Sequence, residues 1–171
     1  MAEWVGALLG SVIGLIAILL GALYNASLTR KRDDKIMNDQ AKTIAAAIGA
    51  EMGVHAEMLC GRMAQSLAGP EGRSPGFFQA LVCPQPVVWP GLAPKIGCLD
   101  AETAAQIVKC WALLTWHAQL LQATVSDMQS GHWKLGSAMS RWEFVKADMP
   151  RIADTVQALT GTRPDIDNPL P

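Results

Sequence analysis

The sequence predicts an all-α protein, an N-terminal transmembrane helix continuing into a small antiparallel helical bundle with a long Pro-rich loop. Three observations lead there. An uncharged run, WVGALLGSVIGLIAILLGALY, occupies Trp4 to Tyr24. Apolar residues then recur at helical spacing over three later stretches, about 28–67, 100–129 and 135–160. Between the first two of these, residues 69–99 hold six of the ten prolines, at positions 70, 75, 84, 86, 90 and 94. Proline lacks a backbone N–H, so such a stretch is expected to sustain neither a long helix nor a central strand.

The opening run is 21 residues long; at about 1.5 Å per residue it matches a hydrocarbon core of about 30 Å. Trp4 and Tyr24 bracket it where amphipathic rings sit at the interfaces, and Arg30, Lys31 and Arg32 follow on one side only. Positive residues favour the cytoplasmic side, and the other flank carries Glu3 without Lys or Arg, so the charge bias predicts the N-terminus outside. A secretory signal peptide would need a basic start, a shorter apolar core and a small-x-small cleavage site, which the run does not offer. The sequon Asn25-Ala26-Ser27 lies on the predicted inner side and is read as chance. Gly6, Gly10 and Gly14 recur every four residues, with Gly21 seven later. They form a stripe along which two helices could pack, in a homo-oligomer or against another membrane protein.

After the anchor (1–27), residues 28–161 are expected to form the helical domain and 162–171 a frayed tail. The first helix carries Met37, Ala41, Ile44, Ile48, Met52, Leu59 and Met63 on one stripe and ends at Ala68-Gly69-Pro70. Ser74-Pro75 could cap a short helical turn through Phe77, Phe78 and Leu81. Asp100 reads as the N-cap of the next helix, whose stripe is Ala104, Ile107, Val108, Trp111, Leu114, Ala118, Leu121 and Val125. The last stripe, Leu135, Met139, Trp142, Val145, Met149, Ile152, Val156 and Leu159, passes through Pro150, which predicts a kink or two abutting helices before Gly161.

Chemistry is sparse. Lys and Arg number 14 against 15 Asp and Glu, and no basic stripe interleaved with aromatics favours nucleic acid. Cys60, Cys83, Cys98 and Cys110 contain no CxxC pair, and His55, His117 and His132 do not complete a metal set at helical spacing. The cysteines are expected to be reduced thiols. His55 and His117 are expected to be hydrogen-bonded residues at the core edge, His132 a loop residue. No nucleophile elbow, phosphate loop or HExxH occurs, so neither a catalytic residue nor a cofactor is assigned. Trp111 and Trp142 fall on stripes, Trp133 sits beside His132, and Trp89 and Trp116 fall off the stripes as candidate contacts for a protein partner.

Residues 87–111, VVWPGLAPKIGCLDAETAAQIVKCW, carry a pattern of Lys95, Gly97 and Leu99 followed by Ala104, Ile107, Val108 and Trp111. It resembles a group of uncharacterised small bacterial single-pass membrane proteins, in which a spanning helix leads into a long helix and a K-x-G-x-L turn precedes another. Cys98 and Trp111 depart from the Leu and Tyr of that pattern. The resemblance implies architecture and no catalytic residues. Gly97 is expected to supply a positive φ before the Asp100 cap.

Taken together, the expectation is a membrane-anchored interaction or scaffold protein of the inner membrane, with lipid and an unidentified protein as partners. Two rivals differ in class. One is an envelope or phage-lysis component with disulfides outside the cytoplasm; the other is a membrane-tethered enzyme assembled from distant side chains.

Overall fold

The computed structural model describes the backbone of residues 2–166 and the side chains of residues 14–166. The described chain is helical without strands. Helix α1 runs Ala2–Ser66, α2 Pro75–Ala80, α3 Val88–Leu92, α4 Ala101–Gln129 and α5 Leu135–Thr160, with a 3-10 turn at Ala93–Cys98 between α3 and α4. The chain forms two compact units, Met1–Gln40 and Ala41–Pro171.

In the first unit α1 is alone. Every side chain from Gly14 to Gln40 is exposed, including Leu15, Ile16, Ile18, Leu19, Leu20, Leu23 and Tyr24. Among the described residues no helix is long and apolar enough to cross a membrane. The side chains of Trp4 and of the run up to Ile13 lie outside the described residues, as do the surroundings of Gly6 and Gly10.

The second unit is a helical bundle. On α1, Ile48, Met52, Ala56, Leu59, Cys60 and Met63 are buried at helical spacing. They meet Ile107, Trp111, Leu114, Leu121 and Val125 of α4 and Val145, Met149, Ile152 and Val156 of α5 in one core. The expected stripes shift in places. Val108, Leu135 and Met139 are exposed, while Cys110, Thr124 and Ala138 take inward positions.

Residue pairs give the chain directions. Between α4 and α5, Cys110 meets Thr155, His117 meets Asp148 and Asp127 meets Arg141, so the two are antiparallel across a short turn. Between α1 and α5, a Cβ at Gly49 would fall 2.8 Å from Leu159 Cβ and one at Gly53 3.3 Å from Val156 Cγ1, so these two are also antiparallel. The Ala41–Ser66 part of α1 therefore runs parallel to α4. The order is up-up-down, whereas a simple antiparallel succession would alternate at each connection.

Parallel neighbours need a connection that returns the length of the bundle. The 34 residues from 67 to 100 do this; fully extended they would reach about 110 Å, against about 40 Å for the return. The slack is taken up by α2, α3 and the 3-10 turn. The prolines among these all fall in the first turn of their element, Pro75 first in α2, Pro90 third in α3 and Pro94 second in the 3-10 turn, where an N–H has no intrahelical partner to lose. This is how a Pro-rich stretch expected to be unable to hold a long helix still forms short ones. Ser74 occupies the cap position of α2, but its side chain makes no capping hydrogen bond.

Three other local expectations are corrected. Gly97 does not have a positive φ; the positive-φ glycines are Gly69, Gly72, Gly131 and Gly161. Pro150 does not divide α5 into two abutting helices; of the two expected outcomes, the single helix through the proline is found, from Leu135 to Thr160. Pro150 is exposed while Met149, Ile152 and Ala153 are buried, so the missing backbone bond falls on the outer side and packing holds the inner side. The tail is not frayed from its start: Pro164 is buried, and the Asp165 N–H donates to Glu57 Oε1 at 2.9 Å. Residues 167–171 lie outside the described residues.

Candidate functional site

Glu51, His55, Leu59 and Arg62 share one face of α1, because steps of four, four and three residues keep close to one angle of a 3.6-residue helix. The crossover lies along this face. Arg62 Nη1 donates to the Val82 carbonyl. His55 places Nε2 3.2 Å from the Pro84 carbonyl and Nδ1 3.0 Å from the Glu51 carbonyl one turn back. The Glu51 carboxylate accepts from the backbone N–H groups of Val87, Val88 and Trp89 at 2.6, 2.7 and 2.6 Å. These are the unpaired amides at the start of α3, where a carboxylate is favoured by hydrogen bonding and by the helix dipole together. The crossover is thus fastened at three points, each through its backbone, the His55 contact being made by the tautomer that carries its proton on Nε2.

Trp89 is brought onto the core by the third fastening. Its ring stacks on Trp111 with centroids 5.3 Å apart and planes 27° apart, and the His55 ring meets Trp111 edge-on at 5.5 Å. Between α1, the crossover and α4 lies a cleft of about 370 Å³, walled by Leu59, Leu114, Ala118 and Trp111 on the helices and by Cys83 and Pro84 on the crossover. Burial pushes the Cys83 thiol above its ordinary value, with the Arg62 charge opposing. It is therefore a thiol near neutrality, with little nucleophilic thiolate.

A second cluster lies between α4 and α5. His117 is fully buried, with Nε2 3.1 Å from Asp148 Oδ2. The pair is close but off the line of a well-formed hydrogen bond, and Nδ1 has no partner in the protein. Burial holds the His117 pKa below the ordinary histidine value, with Asp148 opposing the shift. Over this pair, Trp116 lies against His117 at 4.9 Å and against Phe144 at 6.0 Å. Trp116 is 42% and Phe144 56% exposed.

Trp89 and Trp116 therefore do not make one patch. Trp111, on which Trp89 stacks, and Trp116 are five residues apart, about 140° around α4. Of the two, Trp116 is the one presented to solvent. His55 is a hydrogen-bonded core-edge residue, His117 is wholly interior, and His132 lies on the α4–α5 turn with Nδ1 3.0 Å from Ser130 Oγ. Trp133 packs on Gly69, Trp142 is half-buried with Lys146 over its ring, and Arg30, Lys31 and Arg32 are exposed. Gly14 and Gly21 have open space where a Cβ would stand. Within the helical bundle, Gly49 and Gly53 lie in close contact with α5.

Cys60 and Cys110 are buried, Cys83 is half-buried and Cys98 exposed. The Cys110 thiol donates to Thr155 Oγ1 at 3.4 Å. Among the described residues no group of three or more His, Cys, Asp or Glu side chains is arranged to hold a metal ion. Comparison with protein-family models, with curated proteins and with solved structures finds no match to this chain.

Proposed function

We propose that this chain is a single-pass protein of a bacterial inner membrane, with its N-terminus outside and its helical domain in the cytoplasm, acting as an interaction or scaffold module without catalytic activity. The observation that carries this reading is the state of Gly14–Tyr24. These residues are helical, uncharged and exposed on every face. A helix apolar all round is stable only when apolar material surrounds it, and a bilayer is the surroundings that the full run from Trp4 would match in length. Arg30, Lys31 and Arg32 then set the orientation.

Confinement to a membrane raises the effective concentration of whatever the domain binds, which is the gain a non-catalytic module offers. The Gly6, Gly10, Gly14 and Gly21 stripe is assigned to assembly of the chain with itself in the membrane. The exposed Trp116 and Phe144 rings are assigned to an unidentified protein partner, since exposed aromatics dominate such contacts. Neither a cofactor nor nucleic acid enters this reading.

The test is topology. Green fluorescent protein and, separately, alkaline phosphatase are fused after Pro171 and expressed in a bacterium. Fluorescence without phosphatase activity is expected. Phosphatase activity without fluorescence would overturn the orientation, and soluble fractionation of both fusions would overturn the anchor.

A further inference from the structure

Trp116, Phe144 and Asp148 come together on one side of the α4–α5 pair. Phe144 and Asp148 are four residues apart on α5, so they are neighbours on one face of that helix. The Trp116 ring of α4 lies 6.0 Å from the Phe144 ring and 4.9 Å from the His117 ring, and His117 Nε2 in turn lies 3.1 Å from Asp148 Oδ2. Both Trp116 and Phe144 are exposed, and the Asp148 side chain is 35% exposed.

The charge in this group is unbalanced. Asp127 pairs with Arg141, Glu143 with Lys146 and Asp154 with Arg163. Asp148 meets His117 instead, whose ring is kept neutral near pH 7 by its burial. Among the described residues Arg151, one turn further along α5, forms no ion pair.

The rings are unbalanced in the same sense. The face of an aromatic ring is electron-rich and attracts a cation. Arg73 lies over Phe77 at 4.5 Å and Lys146 over Trp142 at 5.8 Å, whereas among the described residues no cation lies over Trp116 or Phe144. An anion would be repelled by the carboxylate and by the ring faces alike. An apolar cover would strip water from Asp148 without replacing it, a loss that offsets what the rings gain. A cation carried on an apolar stem suits all three side chains. Of the two residues that offer one, arginine fits better: its planar guanidinium stacks on a ring while its N–H edge meets a carboxylate, whereas an ammonium is a point charge that holds its water more strongly.

We propose that Trp116, Phe144 and Asp148 receive an arginine side chain of a protein partner, its guanidinium lying on an aromatic face and donating to the Asp148 carboxylate on the side away from His117. This inference deepens, and rests on, the assignment of the two rings to a protein contact; it does not depend on the orientation of the membrane anchor.

The full-length chain, held in an uncharged maltoside detergent, is titrated near neutral pH with the peptide acetyl-Gly-Leu-Arg-Leu-Gly-amide and with counterparts carrying lysine or citrulline in place of arginine. Citrulline keeps the shape of arginine and removes its charge. Binding is read from the Trp116 indole N–H resonance, assigned by its loss in Trp116→Phe. The arginine peptide is expected to shift this resonance saturably and to bind at least about threefold more tightly than the citrulline peptide, the scale of an exposed cation–aromatic or ion-pair contact, with lysine between them. Asp148→Asn is expected to abolish that preference, and Phe144→Leu, which keeps the apolar bulk, to reduce it. Circular dichroism checks that the variants fold, and the comparison of peptides on the unaltered chain needs none of them. Equal binding of the arginine and citrulline peptides at Trp116, a lysine peptide bound as tightly as arginine, or a preference unchanged in a folded Asp148→Asn or Phe144→Leu would each overturn the arginine assignment while leaving the rings as a protein contact. No shift at Trp116 with any of the peptides would overturn both readings.

Discussion

His117 is a buried group whose charging opposes the fold as pH falls below neutrality. Its ring is fully buried between α4 and α5, and its pKa is depressed by burial. The unfolded chain therefore binds a proton on this residue at a higher pH than the folded one does. Stability is fully present above the ordinary histidine value of about 6.5 and declines as pH falls through it toward the depressed folded value. Thermal unfolding measured from pH 7.5 to 5 is expected to show this decline, and His117→Leu to flatten it. An equal slope in the variant would assign the acid sensitivity elsewhere. Part of this was visible in the sequence, because His117 borders the Leu114 and Leu121 stripe. Its complete burial was not, because that depends on the packing of α5 against α4, which brings Asp148 to it from 31 positions away and Phe144 onto the Trp116 ring beside it.

At the scale of elements, the crossover depends on Glu51 more than on anything within its own sequence. Three amide donors converge on one carboxylate, and hydrogen bonds to a charged group contribute about 1.5–3 kcal/mol. Glu51→Ala is expected to leave the first turn of α3 without its acceptor. Hydrogen exchange at Val87, Val88 and Trp89 should then accelerate about tenfold or more, while α5 amides keep their wild-type protection. Uniform acceleration would mean that Glu51 supports the whole bundle instead. The long helices α4 and α5 were legible in advance, whereas α3 and the 3-10 turn inside the Pro-rich stretch were not. Asp100 caps α4, its carboxyl held below the ordinary value by the Thr103 amide, and Gly161 ends α5 with φ of 78°. Both are local rules that act within one turn. The fastenings were not legible, and the reason is chemical. Glu51, His55 and Arg62 bind backbone groups, which every residue except proline presents in full, so the crossover side of each contact has no complementary residue to find.

For the whole molecule, the informative feature is direction. All-α class and helix positions follow from periodicity, but periodicity is the same whichever way a helix points. The up-up-down order instead reflects a long connection before α4 and a short one after it. The close approach at Gly49 is available as a test. Gly49→Cys with Leu159→Cys starts from Cβ atoms 2.8 Å apart, about 1 Å closer than a disulfide uses, so α1 and α5 part slightly at this point as oxidation of the double variant closes the expected bond. If α1 instead ran parallel to α5, position 49 would face the beginning of α5, and the bond would not form. Gly49-x-x-x-Gly53 is the same spacing that marks the N-terminal glycines. Spacing alone does not reveal its role in the domain, because that role exists only once α5 lies against it.

The order of the helices also sets a timetable. The α4–α5 pair is joined by a short turn, so its contacts form between segments synthesised together. Ile48, Met52, Leu59 and Met63 are made well before the α5 residues that complete their core, with about 95 residues between the end of α1 and the end of α5. At a synthesis rate of about 5–20 residues per second, that is a wait of roughly 5–20 s. Until Gln129 is made the inner face of α1 lacks both complete partners, and from there to Thr160 it still lacks α5; the nascent chain is most open then to capture by a chaperone or by another copy of itself.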